Sequence, residues 1–288
     1  AGDPQGTDAI FDYFEGIVPP PFTLGDAISA GALTPYAYHI HRVQLTEEEQ
    51  EEWSKQTVEI KTLYARIQRG GETDQRLHDL LKNKLIQRSR IVKSAEAKVN
   101  AAARIVTEHY RRGSRWIVYC DDQEQLNEVL TALRNNLGSG VYEYHTGMMG
   151  NRNKTLGLFD QAGGIIVSIR CLDEGVDIPS VDTALILASS RNPREYVQRR
   201  GRVLRRYDGK SLARVHDVLV TPRIDPEEPS DTSIIEGEIA RAIEFGKSAL
   251  NPSSIADLER IAIEHDMDLD KLRIVGVEED VFDEGEST

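Results

Sequence analysis

Apolar positions change period along the chain, and the changes divide it. Around Tyr36 to Leu45 they alternate, with Tyr36, Tyr38 and Ile40 on one side, which predicts a strand. A short helix signal at Leu24 to Ala30 precedes it, behind the triplet Pro19-Pro20-Pro21. Thr46 followed by Glu47, Glu48 and Glu49 predicts a capping box opening a charged helix that breaks at Gly70-Gly71. A second helical run from about Asp74 to Tyr110 carries apolar residues at Leu77, Leu80, Leu81, Leu85, Ile86, Ile91, Val92, Val99, Ile105 and Val106. Together the two runs predict an amphipathic helical arm or hairpin.

From Arg115 the texture becomes short apolar runs separated by helical segments. "WIVYC" (116–120), "VYEYH" (141–145), "GIIVSI" (164–169), "DTALILA" (182–188) and "ARVHDVLV" (213–220) predict buried strands. "QEQLNEVLTALRNNL", "NRNKTLGLFDQ" and an arginine-rich segment predict the helices between them. This alternation predicts an α/β fold with a mainly parallel sheet and helices on both faces. Ligands of such sheets gather at the C-terminal ends of the strands. The loops to watch are therefore 120–122, 145–147, 169–179 and 188–193. After Pro222 the pattern gives a polar loop, two or three helices and an acidic tail.

Charge matters only once it is located. The net charge is −13, and Thr221 to Thr288 hold nineteen acidic against six basic residues, so residues 1 to 220 balance to zero. The acidic end reads as a solvated surface or as a shield for a basic groove. No run reaches the ~18 apolar residues of a membrane span, and the N-terminus has no secretory-signal pattern, so a cytoplasmic protein without a membrane partner is expected. Cys120 and Cys171 stand apart without metal-ligand spacing, so they read as small buried residues and no metal site is expected.

Against that balance, seven arginines fall between Arg191 and Arg206, with Glu195 the only acid among them. Pro193 can open a helix in which Gln198, Arg202 and Arg205 share a face, because they stand at i, i+4 and i+7. Gly201 in its interior costs about 1 kcal/mol of helix propensity and suggests a close backbone approach. A basic helix can be merely solvated, but this one holds no lysine, and the arginine fork suits phosphate oxygens. A second cluster, "SIRCLDEGVDIP" (168–179), follows a predicted strand and places Glu174 and Asp177 around Gly175. Alone it is equally well an ordinary turn. "YHTGM" (144–148) ends another strand with an imidazole, a hydroxyl and an open glycine backbone, which suits phosphate-backbone contacts.

Taken in order, "RWIVYC", "YHTGM…NRNKTLGLF", "IIVSIRCLDEGVDIPSVDTALIL" and "REYVQRRGRVLR" resemble the motifs of the second RecA-like domain of superfamily 2 helicases and translocases, over about Lys98 to Val220. The most specific piece, from Gln198 to Arg205, matches the family's motif VI pattern QxxGRxxR. "LDEGVDIP" looks closest to the DNA-directed branch that includes UvrB, XPB-like helicases and restriction-enzyme motor subunits. The resemblance implies a RecA-like fold of the P-loop NTPase type. It implies that Arg202 and Arg205 act as arginine fingers on a bound triphosphate and that Gln198 senses the nucleotide and attacking water. Glu174, Gly175 and Asp177 would couple nucleotide to nucleic acid. His145, Thr146, Gly147, Ser168, Ile169 and Arg170 would lie along the nucleic-acid phosphates. At Ile169 many relatives place a phosphate-binding Thr, so that contact falls to Ser168 or Arg170.

The sequence contains no GxxxxGK[ST] loop and no DExH or DEAD tetrad. The resemblance therefore implies that ATP and Mg²⁺ are bound only in a complete two-lobe enzyme, and that this chain alone does not hydrolyse ATP. Its partners would be DNA and a first RecA-like lobe. The expected organisation is a linker from that lobe at 1–45, a helical arm at 46–112, the RecA-like domain at 113–222 and an acidic helical extension at 223–288. Two other readings stay open, a non-catalytic nucleic-acid- or partner-binding module and an RNA helicase lobe. Within the arm, Arg88, Arg90 and Lys93 could track duplex phosphates, or the arm could simply pack on the sheet.

Overall fold

The computed structural model describes residues 23–71, 74–169, 178, 180–188, 201–223, 233–270 and 272. Helix α1 (Leu24–Ser29) is opened by a capping box, in which the Asp26 N–H donates to Thr23 Oγ1 and the Thr23 N–H to Asp26 Oδ2. The box expected at Thr46 forms in the same way, with the Thr46 N–H on Glu49 Oε2 at 2.9 Å and the Glu49 N–H on Thr46 Oγ1 at 3.2 Å. These pairs satisfy amide donors that the first turn of a helix leaves open. Helix α2 (Glu47–Arg66) runs into a π-helical turn (Ile67–Gly71) where Gly70 adopts φ 120°, a conformation that favours glycine.

Helices α3 (Gln75–Lys93) and α4 (Glu96–His109) replace the single run expected from 74 to 110, with the break at Ser94 and Ala95. Helices α2 and α3 close on each other through Ile60, Leu63, Ile67 and Leu81. A second contact set, of Leu45, Trp53, Val92, Ala95 and Val220, ties this hairpin to the end of the sheet. Arg88 falls on the packing side of the two readings left open for the arm. It is 0% exposed, its Nη1 donates to Thr57 Oγ1, and its guanidinium lies 5.7 Å from the centre of the Trp53 ring. It is a packing residue of the hairpin and presents no charge to a duplex.

Six strands form one sheet, β1 (Tyr36–Val43), β2 (Arg115–Cys120), β3 (Val141–Tyr144), β4 (Gly164–Ile169), β5 (Thr183–Ile186) and β6 (Ala213–Val220), in the order β1-β6-β5-β2-β4-β3. Every pairing is parallel. Strand β1, drawn from the segment read as a linker, is the edge strand beside β6, with Tyr36 opposite Ala213 and Val43 opposite Val220.

Side chains alternate across the sheet and both faces are covered. Ile117, Tyr119, Ile166, Ala184, Ile186, Val215 and Leu219 meet helices α7 (Ser233–Gly246) and α8 (Ser253–Glu264) on one face. Trp116, Val118, Cys120, Ile165, Val167, Leu185 and Val218 meet α4 and α5 (Gln123–Leu137) on the other. Cys120 is fully buried, and burial pushes its thiol well above the usual range, as befits a packing residue. Cys171 lies outside the described residues. Helix α6 (Arg152–Ala162) buries Phe159 against the first face. This is the mainly parallel α/β sheet that the alternation predicts, in the RecA-like form that the resemblance implies. No described helix is long and apolar enough to cross a membrane.

Candidate functional site

An all-parallel sheet gathers its strand ends on one edge. Register puts Tyr144, Ser168, Tyr119 and Ile186 side by side on neighbouring strands. The loops that follow them, including 145–147, leave the sheet together at its C-terminal edge.

The last turn of the arginine segment packs at this sheet. Residues 201–204 are helical, and Val203 and Leu204 are buried in the first-face core. Arg202 is half-buried and lines a narrow gap with Ile117, Tyr119 and Ile178, while Arg205 is exposed. Their backbone is held from two sides. The Thr34 N–H donates to Leu204 O at 2.7 Å and Thr34 Oγ1 to Arg205 O at 3.2 Å, beside an isolated antiparallel bridge between Leu33 and Arg205. From the other side, Lys210 Nζ donates to Val203 O at 2.5 Å and Arg205 O at 3.0 Å.

Helix ends leave carbonyls unsatisfied, and an ammonium there is favourable both as donor and as a charge near the negative end of the helix dipole. Burial pushes the Lys210 ammonium down to about 8. A further bond joins Arg206 Nε to Gly31 O at 2.7 Å, and a Cβ on Gly31, at φ 71°, would stand 2.9 Å from the Arg206 fork. The segment before β1 and the turn after motif VI therefore fix the backbone that carries Arg202 and Arg205.

Loop 145–147 is built around its histidine. The Gly147 N–H donates to His145 Nδ1 at 3.1 Å, so Nε2 carries the proton and donates to Glu143 Oε1 at 2.7 Å. Thr146 and Gly147 are exposed at the tip. The imidazole thus orders the loop, and the surface it presents is the Thr146 hydroxyl and the backbone. Ser168 is 0% exposed on the first face, and its Oγ has no hydrogen-bond partner among the described residues. Ile169 is half-buried against the second-face core. In this geometry neither side chain is offered to a polymer.

Gln198, Glu174, Gly175, Asp177 and Arg170 lie outside the described residues. The close approach expected at Gly201 is not found among the described residues, where nothing lies within 4 Å of the place a Cβ would occupy.

Three residues that the sequence reading missed hold these segments in place. Thr34 and Lys210 hold the motif VI backbone as described, and Lys210 carries one visible signal, being the first lysine after seven arginines. Lys98 is the third. It is fully buried under the end of β5, and its Nζ donates to Leu187 O at 2.8 Å and Lys93 O at 3.2 Å. The Leu187 and Ala188 amides both donate to Tyr119 O at 3.0 Å, which fixes the start of the loop leading toward the arginine segment.

Residues 97–207 match the family described as the helicase conserved C-terminal domain. Among solved structures, UvsW of T4 is similar over 76% of this chain and 41% of its own, at 13% identity with a TM-score of 0.52. The Sulfolobus solfataricus SWI2/SNF2 ATPase core, solved in complex with double-stranded DNA, is similar over 83% of this chain and 49% of its own, at 12% identity with a TM-score of 0.50. At these identities the likeness is one of fold. The chain spans less than half of either protein. No curated protein matches it.

Proposed function

We propose, for a chain that carries the conserved C-terminal domain of superfamily 2 helicases, that it is the second motor lobe of an ATP-dependent DNA helicase or translocase. Hydrolysis of bound ATP supplies the free energy for such a motor. The part assigned to this chain is to deliver two guanidinium groups and one face of the nucleic-acid track. Arg202 and Arg205 would meet the triphosphate, where fixed positive forks stabilise charge as it builds on the phosphoryl oxygens.

The observation that carries the reading is the pinning of Leu204 and Arg205 by Thr34 and Lys210. A finger is useful only if its backbone does not drift, since misplacement by about 1 Å can cost about 100-fold in rate. The described residues fit the anion, through Arg202 and Arg205. Among them no group of three or more His, Cys, Asp and Glu side chains is placed to hold a metal ion. In this reading Mg²⁺ and most of the nucleotide are held by a first lobe, with Gln198, Glu174, Gly175 and Asp177 completing the coupling from this side. Thr146 and the Gly147 backbone would contact phosphates of the strand, and Arg170 would join them.

The test is ATP turnover by a two-lobe protein in which this chain is joined to its P-loop lobe. The reading requires turnover stimulated by DNA more than by RNA, and none from this chain alone. Stronger stimulation by RNA would move it to the RNA helicases, and a two-lobe protein inert with either polymer would leave a binding module.

A further inference from the structure

The opposite edge of the sheet, where β2, β5 and β6 begin, holds a cleft of about 720 Å³. That is within the roughly 300–1,000 Å³ of small-molecule sites. It lies at the strand starts, away from the strand ends that Thr146 follows, and Lys210, which pins Val203 and Arg205, is among its lining residues.

Three buried polar atoms of its lining residues, Arg115 Nε, Ser180 Oγ and His216 Nε2, have no hydrogen-bond partner among the described residues. Ser180 is 4% exposed and His216 is 2% exposed, so open solvent does not serve them. Folded proteins leave few such atoms, and three around one cleft ask for a shared partner. His216 is well defined on its other side. Its Nδ1 meets His41 Nε2 at 2.9 Å, and its ring stacks with those of His39, His41, His109 and Trp116 at centroid distances of 5.0 to 5.5 Å. Burial first, and the neighbouring imidazoles second, hold His216 down to about 2, so it is neutral and leaves Nε2 to pair.

The charge in the cleft is positive and held in place. Arg111 Nη1 donates to the carbonyls of Glu108 and Tyr110, and Arg115 Nη2 donates to that of Asp160. Carbonyls orient a guanidinium without neutralising it. Arg214, exposed at the start of β6, has no carboxylate partner among the described residues. Of the lining carboxylates, Asp182 is already occupied, accepting from the Arg115 N–H at 2.8 Å and Thr183 Oγ1 at 2.6 Å, and Asp208 stands exposed in its loop. Three oriented or open guanidiniums and orphaned neutral donors describe a receptor for an oxyanion.

We infer that this cleft binds a small phosphate-bearing molecule, through side chains other than those of Arg202 and Arg205. Arg111, Arg115 and Arg214 would hold the phosphate, and Ser180 and His216 would take the ligand's hydrogen-bonding groups. The five residues named here have no part in the motor reading, while Lys210, which pins Val203 and Arg205, lines the same cleft.

The experiment is calorimetric titration of the 288-residue chain with inorganic pyrophosphate at constant ionic strength, chloride replacing the probe in the blank. Wild type should bind, Arg214→Glu should lose at least tenfold in affinity, and Arg202→Ala/Arg205→Ala should bind as wild type does. Ser180→Ala should weaken binding while its melting temperature holds. No heat with wild type, unchanged affinity in Arg214→Glu, or loss in the motif VI pair would each overturn the proposal. Displacement of pyrophosphate by a short DNA duplex would also overturn it, by giving the cleft to the polymer.

Discussion

Lys98 carries a charge whose cost can be read from pH alone. Helix α4 places it under the end of β5, 0% exposed, with Nζ donating to the carbonyls of Leu187 and Lys93. Burial pushes its ammonium from 10.5 down to about 8, against the partial pull of the Glu238, Asp121 and Asp217 carboxylates. The folded state thus releases this proton near pH 8, while the unfolded chain keeps it to about 10.5. Across that window the unfolded state binds more protons, so stability rises with pH, and the rise is lost again as pH falls through the folded value. At about 1.4 kcal/mol per pH unit the gap amounts to about 3 kcal/mol. Urea unfolding followed by circular dichroism, between about pH 7 and about pH 11, should be run on wild type and Lys98→Met. The unfolding free energy of wild type should gain about 3 kcal/mol on the variant over the window. Two curves that stay parallel would refute the reasoning, because they would mean that Lys98 titrates alike in both states.

Other perturbations address the remaining supports. Arg241, 9% exposed on α7, pairs with Asp217 at 3.2 Å and Glu238 at 3.0 Å, and Asp217 also accepts from the Tyr38 hydroxyl at 2.7 Å. Arg241→Met would leave two carboxylates buried together and should cost about 3–5 kcal/mol in urea unfolding. Lys210→Met removes the donor to Val203 O and Arg205 O, so ATP turnover of the two-lobe protein should fall about tenfold, equivalent to about 1.4 kcal/mol in the barrier, with DNA affinity unchanged. Arg88→Ala should lower stability by at least about 2 kcal/mol through lost packing while the salt dependence of DNA binding keeps its slope. A slope reduced by about one phosphate contact would return Arg88 to the nucleic-acid track.

The strands of the domain were legible because most of their positions are buried on both faces and read as near-continuous apolar runs. "WIVYC", "GIIVSI" and "ARVHDVLV" match β2, β4 and β6 to within a residue. Strand β1 was visible as alternation, yet its place was not, since pairing Tyr36 with Ala213 is a contact across the whole chain that no local pattern encodes. Residue type likewise left Arg88 open between packing and duplex phosphates. Its burial depends on Trp53, a residue on another helix.

The break at Ser94 and Ala95 carried neither Gly nor Pro, and Lys98 beyond it looked like a surface lysine in an alanine-rich helix. At the candidate site, the spacing of Gln198, Arg202 and Arg205 was explicit in the sequence. What holds the backbone from Val203 to Arg205 was not, because Thr34 and Lys210 act through backbone carbonyls, which leave no trace in residue type. The cleft at the opposite edge was hidden for a related reason, since His216 and Ser180 acquire meaning only when β1, β5 and β6 align.

The central claim is that motif VI serves a nucleotide held mostly by another lobe. It is tested most directly by DNA-stimulated ATP turnover of the two-lobe protein carrying Arg205→Ala, measured beside its DNA affinity. The account predicts turnover reduced by about 1,000-fold or more, as for a lost arginine finger, with DNA binding within about twofold of wild type. Full turnover in that variant, or DNA binding lost in step with turnover, would contradict it.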